Sequence, residues 1–111
     1  MRTETLLSNF ELMVLLALIR IGDGAYGVPI SREIEERSGR VVSITTIYAA
    51  LERLEGKSFV SSEMGEPTRE RGGRAKRYFK ITAKGMREVR AVKGALMNMW
   101  KGLADLGGEK A

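Results

Sequence analysis

Five basic side chains and one acid crowd into nine residues of this chain, Arg69-Glu-Arg-Gly-Gly-Arg-Ala-Lys-Arg77. The chemistry they offer is phosphate binding: a guanidinium grips phosphate oxygens through paired hydrogen bonds, and a lysine adds a point charge. The segment holds +4 of a formal total of +5 at pH 7. Gly72 and Gly73 fall inside the run, where a hairpin tip needs residues that tolerate positive φ. Tyr78-Phe-Lys-Ile81 then reads as a strand. A basic hairpin tip suits a polyanion backbone. A charge run alone is more often a solvated loop, so the surrounding elements have to decide between the two.

Other chemistries are poorly supplied. The 111 residues include no cysteine and no histidine, which removes the thiol nucleophile, the thiolate zinc site, the usual general base and the commonest metal ligand. The carboxylates lie among basic residues on polar faces, where nothing would raise one pKa against another. No catalytic residue, metal site or cofactor is expected, and an enzyme is excluded as the leading reading. The length suits one domain with a modest core. The longest apolar run, Leu12 to Ile19, is eight residues, against about 20 for a membrane span. The N-terminus lacks a secretory pattern, so the expected location is the cytoplasm, away from the membrane.

The elements that must position the basic run can be traced in order. Ser8-Asn-Phe-Glu11 is a capping box, which predicts a first helix over about 9–21. Its run Leu12–Ile19 is apolar all round, so a second layer or a second subunit should cover it. After the turn Gly22–Gly27, Pro29 suits the first turn of a helix over about 28–38, with Ile30 and Ile34 inward and Glu33, Glu35 and Glu36 outward. Ser43 can cap a third helix, about 43–56. There Ile44, Ile47, Tyr48, Leu51 and Leu54 make one apolar stripe, and Thr45, Thr46, Ala49, Ala50, Glu52 and Arg53 make the opposite face. That face is short and hydroxyl-bearing at its start, as a helix lying close to DNA requires. A plain amphipathic helix fits it about as well.

Two strand-like runs follow, about 58–64 and 75–81, flanking the basic tip. Three helices and then a hairpin is the order of a winged helix-turn-helix, a mainly α fold with a β-hairpin wing. In such folds helix three enters the major groove and the hairpin lies over neighbouring backbone. Thr82 can cap a last helix reaching to about Leu106. Along it Val89, Val92, Leu96, Met99, Leu103 and Leu106 form a heptad-like seam. Pairing with the same helix of a second subunit is the simplest way to bury that seam. The predicted organisation is therefore a DNA-binding domain over 1–81, a dimerisation helix over 82–106 and a tail over 107–111.

At this point the sequence resembles the PadR family of transcriptional regulators. The resemblance rests on blocks in a fixed order: Leu12-Met-Val-Leu-Leu-Ala-Leu18, Ile34-Glu-Glu-Arg-Ser-Gly-Arg-Val-Val-Ser43, Ile47-Tyr-Ala-Ala-Leu-Glu-Arg-Leu-Glu55, Phe59-Val-Ser-Ser-Glu63 and Gly72-Gly-Arg-Ala-Lys-Arg-Tyr-Phe-Lys-Ile-Thr82 with Gly85. Together they span about residues 8–88, and the single C-terminal helix resembles the family's short subgroup. The chain departs from many members at Tyr26-Gly27-Val28, where they have His-Gly-Tyr, and at Ala49, where they have proline.

The resemblance implies a homodimeric repressor that binds double-stranded DNA at an inverted repeat and pairs through its last and first helices. It implies DNA contacts from Ser43, Thr45, Thr46 and Tyr48 on helix three. In the wing it implies phosphate contacts from Arg69, Arg71, Arg74, Lys76 and Arg77. Two alternatives stay open. In one, the same repressor senses a planar apolar effector stacked on Trp100 between dimer helices. In the other, a winged-helix module binds protein and has no specific DNA target.

Overall fold

The computed structural model describes residues 7–65 and 76–103. Four helices and one hairpin follow in chain order: α1 (Asn9–Ile21), α2 (Gly27–Ser38), α3 (Ile44–Gly56), β1 (Val60–Met64), β2 (Arg77–Ile81) and α4 (Ala83–Trp100). Helix α1 starts where its capping box predicts. The Ser8 hydroxyl accepts from the Glu11 N–H at 3.0 Å, and the Glu11 carboxylate accepts from the Ser8 N–H at 3.0 Å. Helix α2 stops at Gly39 in left-handed backbone, and Ser43 and Thr82 cap α3 and α4 through their hydroxyls.

Helix α1 is the hub, touching α2, α3, β2 and α4. Val14, Leu15, Ala17 and Leu18 are buried against Ile30 and Ile34 of α2, Ile47, Ala50, Leu51 and Leu54 of α3, and Phe59, Val60 and Phe79 of the hairpin region. Burying the valine, leucine, isoleucine and phenylalanine side chains among them contributes about 1.5–3 kcal/mol each. The second layer therefore covers only one side of α1, and Leu16 and Ile19 remain exposed.

The two strands pair antiparallel, from Val60 opposite Ile81 to Met64 opposite Arg77. They are shorter at their outer ends than the predicted runs, because Ser58 takes a positive φ of 67° and spends itself on the turn out of α3. Ala75 lies outside the described residues. The Phe79 N–H also donates to the Ala25 carbonyl at 2.9 Å, stitching the α1–α2 turn to the other edge of β2.

Helix α4 departs most from expectation. It ends at Trp100, not near Leu106, because Lys101 turns extended (φ −59°, ψ 134°) and Gly102 takes φ 84°, a left-handed conformation open to glycine at little cost. Leu103 is exposed and non-helical, and Leu106 lies outside the described residues. Val89 needs correction too: it is buried in the chain's own core and is not free for a partner. The seam thus changes character along its length, buried at Val89, half-buried at Val92 and exposed at Leu96 and Met99.

One buried charge joins α1 to α3. The Glu11 side chain is 5% exposed, with Arg53 Nε at 2.8 Å and Lys57 Nζ at 3.4 Å. Burial pushes its carboxyl up, but Arg53, the Ser8 N–H and Lys57 together outweigh burial and hold it below its ordinary value of 4.5. A lowered folded-state pKa gives stability that is present above the unfolded value and lost as pH falls through the folded one. Wild type is therefore expected to lose stability to urea below about pH 4.5. Glu11→Gln is expected to be weaker by about 2 kcal/mol at pH 7, since it breaks a pair whose cation is half exposed, and to show a flatter decline into acid. Parallel acid profiles for the two proteins would refute this.

Candidate nucleic-acid interface

Helix α3 divides into two halves of different chemistry. Its first turns expose Ile44, Thr45, Thr46 and Ala49, small or apolar groups with no net charge. Ser43 accepts from the Thr46 N–H at 3.1 Å, and its hydroxyl lies 2.9 Å from that of Thr46, so these two hydroxyls orient each other. Thr45 is exposed beside them. The helix N-terminus adds its own positive potential at this end.

The second half carries the charges, and they are paired within the protein. Arg53 is held by Glu11, while Glu52 and Glu55 face Arg77 of β2. The half that can approach a polyanion without repulsion is therefore the N-terminal one. Two residues sit differently from the pattern-based reading. Ala50 is fully buried, and Ile44 is exposed, because α3 is covered on two sides by α1 and α2 and its buried arc is turned accordingly.

Tyr48 sits between core and surface. Its ring is 5.8 Å from that of Phe79, and its hydroxyl oxygen accepts from the Gly27 N–H at 3.3 Å. This contact ties α3 to the first residue of α2, and the phenolic proton remains for an outside acceptor. Gly27 permits it: a Cβ there would lie 2.8 Å from the Tyr48 ring.

In the wing, Arg69, Arg71 and Arg74 lie outside the described residues. Lys76 is placed at the hairpin base, its ammonium 4.2 Å over the Tyr26 ring, which meets Tyr78 edge-on at 5.8 Å. Arg77 differs from the sequence-based reading, which gave it a phosphate contact in the wing. Its Nη2 lies 2.7 Å from Glu55, its Nη1 3.6 Å from Glu52, and its Nε donates to the Ser62 hydroxyl at 3.1 Å. The two carboxylates come from α3, 22 and 25 residues back in sequence, and no local spacing signals them.

Away from this surface, Met13, Leu16 and Ile19 of α1 and Ile34 of α2 line an apolar groove of about 280 Å³, rimmed by Arg20, Glu33 and Arg37. Glu33 bridges both arginines at 2.9 and 3.0 Å, so it is more than a solvated acid. On α4, Leu96, Met97, Met99 and Trp100 are exposed. Among the described residues no helix is long and apolar enough to cross a membrane, and no group of carboxylates gathers as a metal site.

Comparison with known proteins agrees with this arrangement. A family model described as the PadR-like family of transcriptional regulators matches residues 15–91. A transcriptional regulator from Clostridium thermocellum is similar in structure, with a TM-score of 0.66 at 28% identity over 82% of this chain and 85% of that one. A PadR-like transcription factor from Bacteroides fragilis gives a TM-score of 0.70 at 26% identity, over 81% and 82% of the two chains. A PadR family regulator from Eggerthella lenta shares the fold, with a TM-score of 0.66 at 24% identity over 81% and 76%. No curated protein matches by sequence.

Proposed function

This chain belongs to the PadR-like family of transcriptional regulators, and from that premise we propose that it acts as a homodimeric repressor binding an inverted repeat. That it is a DNA-binding transcription regulator and not an enzyme follows from the family. The observation that carries the finer reading is α4, on which every residue from Lys93 to Trp100 is exposed, four large apolar side chains among them. A few helical turns with no packing partner are marginal in water, so a second copy is the natural cover. Leu96 and Met99 are the centre of that seam, with Val92 at its margin and Trp100 and the exposed face of α1 alongside. A two-fold pair would set two α3 helices about 34 Å apart, one turn of B-DNA.

In this reading Thr45, Thr46, Ser43 and the Tyr48 hydroxyl meet the major groove and its edges, and Arg69, Arg71, Arg74 and Lys76 meet phosphates. The test is fluorescence anisotropy on the DNA upstream of the coding region beside a shuffled duplex, over a range of salt. With about 8 phosphate contacts the log–log salt slope should be near −7. Arg71→Ala with Arg74→Ala removes about four contacts per dimer, so the slope should flatten by three to four on either duplex. Thr46→Ala should instead narrow the preference between the duplexes. Equal losses on both duplexes for both variants would contradict this division of labour. Weak, indifferent binding by wild type at low salt would favour the protein-interaction reading.

A further inference from the structure

Arg77 closes a ring of hydrogen bonds across three elements. Its Nη2 donates to Glu55 Oε1 at 2.7 Å, and its Nε donates to Ser62 Oγ at 3.1 Å. The Ser62 hydroxyl in turn donates to Glu55 Oε2 at 2.8 Å. Every donor and acceptor in the ring is used in its proper sense, and both oxygens of Glu55 are engaged. Glu52 adds a second carboxylate at 3.6 Å, and the guanidinium carbon stands 5.1 Å over the Phe79 ring. The ring thus spans the last turn of α3, the middle of β1 and the first residue of β2.

This arrangement is poorly suited to gripping a phosphate. A phosphate oxygen would have to displace a charge-assisted bond to Glu55 and would then face two carboxylates within reach of the same guanidinium. The arrangement is well suited to setting an angle. A planar fork held at Nε by one strand and at Nη2 by a helix leaves the hairpin little freedom to roll against α3.

We propose that Arg77 is a positioning residue, a strut that fixes the wing against α3, and that it makes no phosphate contact itself. The proposal rests on the reading of α3 and the wing as the DNA-binding surface. Its signature lies in Glu55. If Arg77 gripped DNA, removing a nearby carboxylate would free it and tighten binding. If Arg77 is a strut, removing Glu55 damages the same device as removing Arg77.

The experiment compares wild type with Glu55→Gln, Arg77→Ala, Arg77→Lys and the double variant Glu55→Gln/Arg77→Ala in the full chain. Anisotropy titrations on the upstream duplex at several salt concentrations give affinity and slope. Hydrogen exchange of the β1 and β2 amides without DNA gives the state of the hairpin. Both single variants are expected to weaken binding on the order of tenfold, with the double no worse than the poorer single, as coupled partners behave. The salt slope should stay as in wild type, and hairpin exchange should quicken in both. Arg77→Lys should fail to restore either, since an ammonium cannot span Ser62 and Glu55 as the fork does.

Tighter or unchanged binding by Glu55→Gln, with a slope flattened by about two in Arg77→Ala, would overturn the proposal, because that marks one phosphate contact per subunit. Should Arg77→Ala fail to fold, the sign of the Glu55→Gln effect decides alone. Should wild type show no preference for any duplex, the functional reading falls separately. Quickened hairpin exchange in Glu55→Gln would then still support the strut, and unchanged exchange would overturn it.

Discussion

Replacing Leu96 and Met99 together by aspartate is expected to yield a folded monomer that binds the upstream DNA at least a hundredfold more weakly than wild type. The loss is large because the proposed dimer would link two half-site contacts, and linkage of that kind is worth about 10²–10⁴ in affinity. Both positions lie beyond Val89, the last core residue of α4, and both are exposed in the isolated protomer. Circular dichroism should therefore stay close to wild type. Sedimentation should report half the mass at tens of micromolar, and Trp100 emission should shift to the red as its dimer environment is lost. A variant that remains dimeric, or a monomer that binds as tightly as wild type, would remove α4 from the account.

Gly85→Ala is expected to be the most damaging conservative change among the described residues. The glycine lies in the first turn of α4, directly against the exit of α3. A Cβ there would collide with the Phe59 carbonyl oxygen and lie 2.8 Å from Cγ1 of Ile81. The neighbour is backbone, and that carbonyl also accepts from the Thr82 N–H at 3.0 Å, so it cannot swing aside without opening the junction. Overpacking of this kind costs about 1–3 kcal/mol, and the upper end applies where backbone must move. Thermal unfolding should fall by roughly 10–20 °C for a domain of this size. A fall of less than 3 °C would mean that α4 can slide on the hairpin.

The same junction illustrates what could be read in the sequence. Local chemistry was legible: Ser8 with Glu11, and Ser43 and Thr82 as caps, all act within three residues of chain, and the starts of α1, α3 and α4 follow from them. The inward stripe Ile47, Leu51 and Leu54 follows from helical period alone. What could not be read depends on contacts between elements. Ala50 is as small as Ala49, and only the packing of α1 and α2 on α3 decides which one is buried. Glu11 shows as a cap in sequence, while its bonds to Arg53 and Lys57 join positions more than 40 residues apart. Arg77 sits in a basic run and reads as one more phosphate ligand, until β1–β2 register and α3 bring Ser62 and Glu55 to it. The end of α4 was half legible, since Gly102 weakens a helix in any setting, but its left-handed backbone is visible only in three dimensions.

The backbone bond from the Gly65 N–H to the Lys76 carbonyl, 2.7 Å long, has a consequence for evolution and for engineering. It clamps the hairpin shut at the last described residues, so the register of β1 against β2 is held on the helix side of positions 66–75. Lengthening a closed loop is cheap: doubling it costs only about 0.6 kcal/mol. The tip is thus an exchangeable cassette. Its length can drift, or be redesigned for a different stretch of duplex, while the helices beneath keep their shape.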